Sequence, residues 1–268
     1  MIYSEKKCLI ITSCLLGRIR DLVDPDDAFV ICADGGWDLA AAEDIRPDVV
    51  LGDFDSSRRR PAEQSGAPAR EAAGARPASA QPDSESPDTR PCSSQPAADR
   101  TCPPDWRDAA EAVTADGIRL IRLPAKKDKT DTALCIDYAA GLGFRQILLI
   151  GGTGGRADHT VANLQTIAAA ARDGISVMLV DSCNVIMALV DDEMLLPARP
   201  GWKLSLLSHS DRCTGVCARG VEYPLEDAEL TSDFPLGVSN EFTADEAYLA
   251  VAHGTLLVML SRDPQPSD

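Results

Sequence analysis

Three aspartate motifs, each placed after an apolar run, constrain this chain more than any other feature: Ala33-Asp34-Gly35-Gly36, Gly52-Asp53-Phe54-Asp55-Ser56 and Lys127-Asp128-Lys129-Thr130-Asp131. Short apolar runs ended by polar residues read as buried strands, so the carboxylates fall at strand ends. In an open α/β sheet those ends are where ligands bind. Carboxylates converging there repel one another unless a hard cation such as Mg²⁺ lies between them on oxygen ligands. The motifs therefore point to phosphate chemistry on a metal.

The runs recur in the order of an α/β fold. Cys8 to Thr12, Phe29 to Ala33 and Val49 to Leu51 read as buried strands, with a helix across Trp37 to Ala42. Further on, a helix is expected near Trp106 to Ala115, a strand at Ile118 to Arg122 and a helix from about Thr132 to Leu142. Gln146 to Ile150 is a strand, His159 to Arg172 a helix and Val177 to Val180 another strand. That alternation predicts a mostly parallel sheet flanked by helices. After Asp181 come short runs such as Val185 to Leu189, Lys203 to Leu207, Gly215 to Ala218, Tyr248 to Val251 and Thr255 to Leu260. These predict a smaller all-β domain, so the expected division is an α/β domain over 1–181 and a β domain over 182–268. At 268 residues the chain is long enough for two modest cores.

One segment breaks the pattern. From Ser57 to Asp105 there is no Val, Ile, Leu, Met, Phe, Trp or Tyr, and nine of the 18 prolines fall there. Such a stretch buries too little apolar surface to offset its ordering entropy, so a disordered insertion within the first domain is expected over 57–105.

Charge and cysteines remove several classes. A net charge of −16, with no basic stripe, argues against a nucleic-acid partner. The nine cysteines include no C-x-x-C pair, and Cys213 and Cys217 lack the second pair of a zinc site. Reduced thiols and a cytoplasmic location are expected. The apolar stretch after Lys6-Lys7 contains Thr12 and Ser13 and no A-x-A site follows, so it does not read as a signal peptide. No run approaches the ~20 apolar residues of a membrane span.

A second glycine motif sharpens the chemistry. Ile147 to Ile150 runs into Gly151-Gly152-Thr153-Gly154-Gly155-Arg156-Ala157-Asp158-His159, which opens a helix. Glycines let backbone N–H groups approach an anion, the helix start adds partial positive charge, and Arg156 could clamp a phosphate. No Lys-Ser or Lys-Thr follows, so this is not a P-loop. Plainer readings stand beside these. The glycines fit a tight turn, Asp34, Asp131 and Asp158 fit helix caps, and Lys127 and Lys129 fit solvated side chains. Asp53 and Asp55 flank Phe54, which in an extended segment sends both to one side. His159 and Asn163, four apart, share a helical face.

Together the ADGG, GDFDS, KDKTD and GGTGGRADHTVANL stretches, with Gly237-Val238-Ser239-Asn240-Glu241 near the end, resemble the thiamine pyrophosphokinase (thiamin diphosphokinase) family. The resemblance covers nearly the whole chain outside Ser57 to Asp105. It implies an α/β N-terminal domain, a C-terminal β-sandwich, a homodimer with active sites between subunits, and transfer of a pyrophosphoryl group from ATP to thiamine. On that reading Asp53, Asp55 and Asp131 hold Mg²⁺, and Asp34 or a metal-bound carboxylate takes the hydroxyl proton. The nucleotide contacts are Gly151, Gly152, Gly155, Arg156, Asp158, His159, Asn163 and Lys129. Thiamine meets Tyr223, where relatives often carry Trp, together with Ser239 and Asn240. Two other classes share parts of the pattern: a phosphohydrolase with Asp53 as nucleophile and Asp55 as acid/base, and a non-catalytic thiamine or nucleotide sensor.

Overall fold

The computed structural model describes residues 7–54, 106 and 109–264. The proline-rich segment expected to be disordered, and Asp55 with it, lies outside the described residues.

Six parallel strands form the first half of the main sheet: β1 (Lys7–Ile11), β2 (Ala28–Ala33), β3 (Val49–Gly52), β5 (Arg119–Arg122), β6 (Gln146–Ile150) and β7 (Ser176–Val180). Their near-continuous apolar runs follow from burial on both faces. Alternate side chains of β1 and β2 serve two cores. Cys8, Ile10, Phe29 and Ile31 pack with Leu134, Tyr138 and Ile167 of α3 (Asp131–Gly141) and α4 (Ala157–Arg172). Leu9, Ile11, Val30 and Cys32 pack with Ile19 of α1 (Ile19–Leu22) and with Trp37 and Ala40 of α2 (Gly36–Ala42).

The second half of the sheet is antiparallel. β8 (Asn184–Val190) folds back on β7 through a short turn, and β15 (Thr255–Ser261), β10 (Lys203–Ser208) and β13 (Gly237–Asn240) follow outward. With β4 (Ala110–Val113) at the other edge, the strand order is therefore β13-β10-β15-β8-β7-β6-β1-β2-β3-β5-β4, one sheet of eleven strands. A separate sheet of four, in the order β12-β11-β14-β9, comprises β9 (Glu193–Pro197), β11 (Arg212–Arg219), β12 (Leu225–Thr231) and β14 (Glu246–Ala250). Its Val216, Ala218, Leu230 and Leu249 pack with Met187, Leu204, Leu256 and Val258 of the main sheet. The C-terminal part is thus all-β, as the short runs after Asp181 predict, and an antiparallel sandwich, as the resemblance implies, and one of its two layers continues the parallel sheet.

The helix expected near Trp106 to Ala115 is not formed. Ala110–Val113 is instead β4, an exposed edge strand antiparallel to β5 with Ala112 opposite Leu120. Its alanines and glutamate favour helix, but a four-residue segment gains more from the open edge of β5 than from an isolated turn of helix. Trp106 packs edge-on against Tyr138 of α3, with ring centroids 5.0 Å apart.

Candidate active site

The aspartates gather because the ends of β2 and β3 approach each other closely. Asp34 follows β2 with φ 43°, and its amide donates to Leu51 O of β3 at 2.9 Å. A Cβ at Gly52 would lie 2.9 Å from the Asp34 Cβ, so a side chain there would displace that carboxylate. Asp53 follows directly. The extended geometry expected across Asp53 and Asp55 ends at Phe54, whose φ of 61° is left-handed and whose ring is buried in the core on the α2 face. Alternation along a strand therefore does not relate those two carboxylates.

Asp131 opens α3 from the far side of β3. Its cap is Thr130, whose Oγ1 accepts from the Ala133 amide at 3.2 Å, so Asp131 does not cap its own helix. Carboxylate oxygens of Asp34, Asp53 and Asp131 all lie within 4.8 Å of one another. Like charges about 4 Å apart repel by about 4 kcal/mol at a near-surface effective dielectric. Lys127 offsets part of this, with its Nζ 3.2 Å from Asp53 Oδ2 and 3.2 Å from Asp131 Oδ1. Burial pushes the Asp131 carboxyl above its usual range, against the attraction of Lys127 and together with repulsion from Asp53 and Asp34. Burial also works against the Lys127 charge, but Asp131 and Asp53 outweigh it and hold the ammonium above its ordinary pKa. Among the described residues the cluster holds three carboxylates and the Lys127 ammonium. Its oxygen-only donors suit a hard divalent cation.

The reading of the sequence missed Lys127 as a site residue. No local signal marked it, because Lys127 lies in the loop before α3 and meets Asp53 and Asp131 only through the course of that loop. Lys129, by contrast, pairs with Asp137 on the exposed side of α3 at 2.5 Å.

The glycine-rich loop lies at the neighbouring strand end. The strand order reverses at β1, with β2 on one side and β6 on the other, which is where doubly wound sheets open a crevice. Gly151 has φ 81°, and a Cβ there would come within 2.1 Å of Cys14 O, so only glycine fits. The Gly151 amide donates to Val180 O at 2.9 Å and the Gly152 amide to Cys14 O at 2.7 Å. Buried Asn163 donates from Nδ2 to Gly152 O at 2.9 Å. The first two glycines and Asn163 thus brace the loop. Among the described residues, the amides of Thr153, Gly154 and Gly155 have no protein acceptor and stand next to the start of α4.

Arg156 and Asp158 are exposed and paired, Nε to Oδ1 at 3.1 Å and Nη2 to Oδ2 at 2.5 Å. The N-cap of α4 is Arg156, so Asp158 lies in the first turn and accepts from the His159 amide at 2.9 Å. His159 is exposed while Asn163 is buried, so their shared spacing does not give them a shared environment.

The remaining candidates lie in the sandwich. Asn240 ends β13 and is buried. Its Oδ1 accepts from the amides of Tyr223 and Glu241 at 3.0 Å each, and its Nδ2 donates to Tyr223 O at 2.8 Å. Asn240 therefore fixes the backbone of Tyr223, whose side chain is 69 % exposed and not part of the sandwich core. Ser239 adopts φ 63°, and its amide donates to Ser205 Oγ at 3.0 Å.

Comparison with known proteins bears on the family and the fold. The family model described as "Thiamin pyrophosphokinase, catalytic domain" matches residues 106–179, and that described as "Thiamin pyrophosphokinase, vitamin B1 binding domain" matches residues 195–256. Thiamine pyrophosphokinase of Bacillus subtilis (strain 168) is 29% identical over 140 residues, spanning 52% of this chain and 65% of that protein. The fold is that of solved thiamine pyrophosphokinases. The Bacillus subtilis structure has TM-score 0.65 at 21% identity, covering 96% of this chain and 100% of that one. The Geobacillus thermodenitrificans structure has TM-score 0.66 at 22% identity, covering 96% and 98%. The Candida albicans structure has TM-score 0.63 at 15% identity, covering 98% and 91%. Because two models of one family match in chain order, one over the Lys127–Asp131 and glycine-rich segments and one over the sandwich, the chain belongs to the thiamin pyrophosphokinase family.

Proposed function

We propose that this chain transfers the pyrophosphoryl group of ATP to the hydroxyl of thiamine, giving thiamine diphosphate and AMP. The observation that carries this reading is the convergence of Asp34, Asp53 and Asp131 at the strand ends, beside a glycine-rich loop that opens a helix. Charge on the transferring group is the main obstacle in phosphoryl transfer, so positioning and electrostatics do most of the catalysis.

Asp53 and Asp131, with Asp55 and Asp34, would hold Mg²⁺. The ion would neutralise charge on the phosphate oxygens. Lys127 keeps Asp53 and Asp131 together and adds a positive charge next to them. The amides of Thr153 to Gly155 and the start of α4 orient the phosphates, and Arg156 is the guanidinium within reach of that loop. The thiamine oxygen attacks the β-phosphorus as the bond to the bridging α-phosphate oxygen breaks, and that oxygen leaves with AMP. A carboxylate of this cluster, Asp34 or one of those holding the metal, accepts the hydroxyl proton. The acidic surroundings favour a substrate with a cationic thiazolium.

Thiamine recognition is assigned to Tyr223, Ser239 and Asn240, within the stretch matched by the vitamin B1 binding model. An exposed ring braced by a buried amide suits stacking on a flat heterocycle. On this reading residues 1–181 carry the nucleotide and metal, and 182–268 the vitamin. We further infer a homodimer with the sites between subunits, supported by exposed Phe234, Leu236 and Val238 at the edge of the main sheet. The reaction is assigned to the cytoplasm, in keeping with seven free cysteines among the described residues. No described helix is long and apolar enough to cross a membrane.

The test is to incubate the purified protein with ATP, Mg²⁺ and thiamine and to assay thiamine diphosphate and AMP, both of which are expected. Inorganic phosphate as the only product would favour a phosphohydrolase. Tight thiamine binding without product would favour a sensor.

A further inference from the structure

Asp181 is almost fully buried, at 1% exposure, at the turn between β7 and β8. A buried carboxylate persists only where donors surround it. Here Oδ1 accepts from the amides of Cys183 and Asn184 at 2.8 Å each, and Asn184 Nδ2 donates to both oxygens at 3.1 and 3.2 Å. The remaining donor comes from a distant part of the chain: the Thr153 hydroxyl, in the middle of the glycine-rich loop, donates to Oδ2. Thr153 is itself buried.

The same turn grips the neighbouring segments. The Ser182 amide donates to Leu16 O at 2.9 Å, in the stretch after β1 that also receives the Gly152 amide on Cys14 O. The Arg262 amide donates to Cys183 O and its Nε to Ser182 O, each at 2.9 Å, which ties in the end of β15. One turn thus joins the glycine-rich loop, the loop after β1 and the last strand of the sandwich layer.

We propose that Asp181 is a positioning residue for nucleotide binding: through Thr153 it sets the height of the glycine-rich loop and so the direction of the amides of Thr153, Gly154 and Gly155. This rests on the reading of that loop as the phosphate site. Asp181 touches no substrate. Its effect passes through the Thr153 hydroxyl, and a displacement of about 1 Å in such a support can cost up to about 100-fold.

The experiment is calorimetric binding of a non-hydrolysable ATP analogue with Mg²⁺, with separate KM values for ATP and thiamine and a melting curve for each variant. Thr153→Val, which keeps shape but loses the hydroxyl, and Asp181→Asn are expected to weaken analogue binding and raise KM for ATP roughly 10- to 100-fold. KM for thiamine should move less than about twofold, because the vitamin site lies outside this network. Thr153→Ser keeps the hydroxyl and should restore nucleotide binding. The double variant should lose no more than the worse single one, since both break the same link. Unchanged analogue binding in Thr153→Val, or equal loss for both substrates at wild-type melting temperature, would overturn the proposal. A wild-type chain that binds no analogue would instead overturn the reading of the loop as a phosphate site, and this inference with it.

Discussion

The two ends of the main sheet carry opposite kinds of polar site. At the strand ends of the parallel half, Asp34, Asp53 and Asp131 crowd within 4.8 Å, with the Lys127 ammonium between Asp53 and Asp131, an arrangement of oxygen donors that suits a hard cation. At the antiparallel edge, the Asn240 side chain accepts from two backbone amides and donates to one backbone carbonyl, and the aromatic ring it supports projects into solvent. On the proposed reading chemistry belongs to the first and recognition to the second, because clustered charges change energy steeply as phosphate oxygens move.

The sharpest way to break this contrast is to neutralise the acidic cluster. Asp53→Asn and Asp131→Asn should each cut turnover by orders of magnitude while the fold survives, since the change is isosteric and relieves repulsion. A circular dichroism melt beside the assay checks both halves, and near wild-type activity at limiting Mg²⁺ would remove that residue from the site.

At the other edge the effects should fall on binding. Tyr223→Ala and Asn240→Ala should each raise KM for thiamine much more than KM for ATP, by about 1–3 kcal/mol. They should differ in stability. The exposed Tyr223 ring can be lost without lowering the melting temperature, whereas Asn240→Ala strands backbone groups of Tyr223 and Glu241 and should lower it. Equal losses for both substrates would show that the vitamin is recognised elsewhere.

Lys127→Met tests the cluster itself. Losing the ammonium leaves Asp53 and Asp131 facing each other, so the metal-free protein should lose about 2 kcal/mol of stability. Added Mg²⁺ should then raise the melting temperature more than it does in the wild type, and an equal rise would mean that the cluster does not bind the ion. The smallest effect is expected from excising residues 58–103 and joining the ends with a short flexible linker. That stretch has no large apolar side chain to contribute to a core, and loop closure changes by only about 0.6 kcal/mol per doubling of length. A large fall in melting temperature would show that it packs after all.

Much of the parallel half could be read directly. β1 and β2 are buried on both faces, so every residue of their runs is apolar and the strand ends stand out where Asp34 and Thr12 begin. The antiparallel half was harder. β12, Leu-Glu-Asp-Ala-Glu-Leu-Thr, and β13, Gly-Val-Ser-Asn, carry too few buried residues to signal a strand, and β4 reads as helix because its exposed Ala-Glu-Ala-Val has helix-favouring residues and no apolar alternation. In the site, Lys127 looked like a solvated lysine and Asp181 like the polar end of a strand.

The sequence by itself determined the order of strands and helices in the parallel half, the family, and the acidic and glycine-rich motifs, because burial on two faces and tight backbone approaches leave local marks. Only the tertiary structure decided that Asp34 joins Asp53 and Asp131, that Lys127 bridges the last two, and that Asp181 holds Thr153 from a turn 28 residues further on. Those contacts arise between strand ends brought together by sheet order, and the energy of a charge depends on what lies a few ångströms away in space, which no local pattern of residues records.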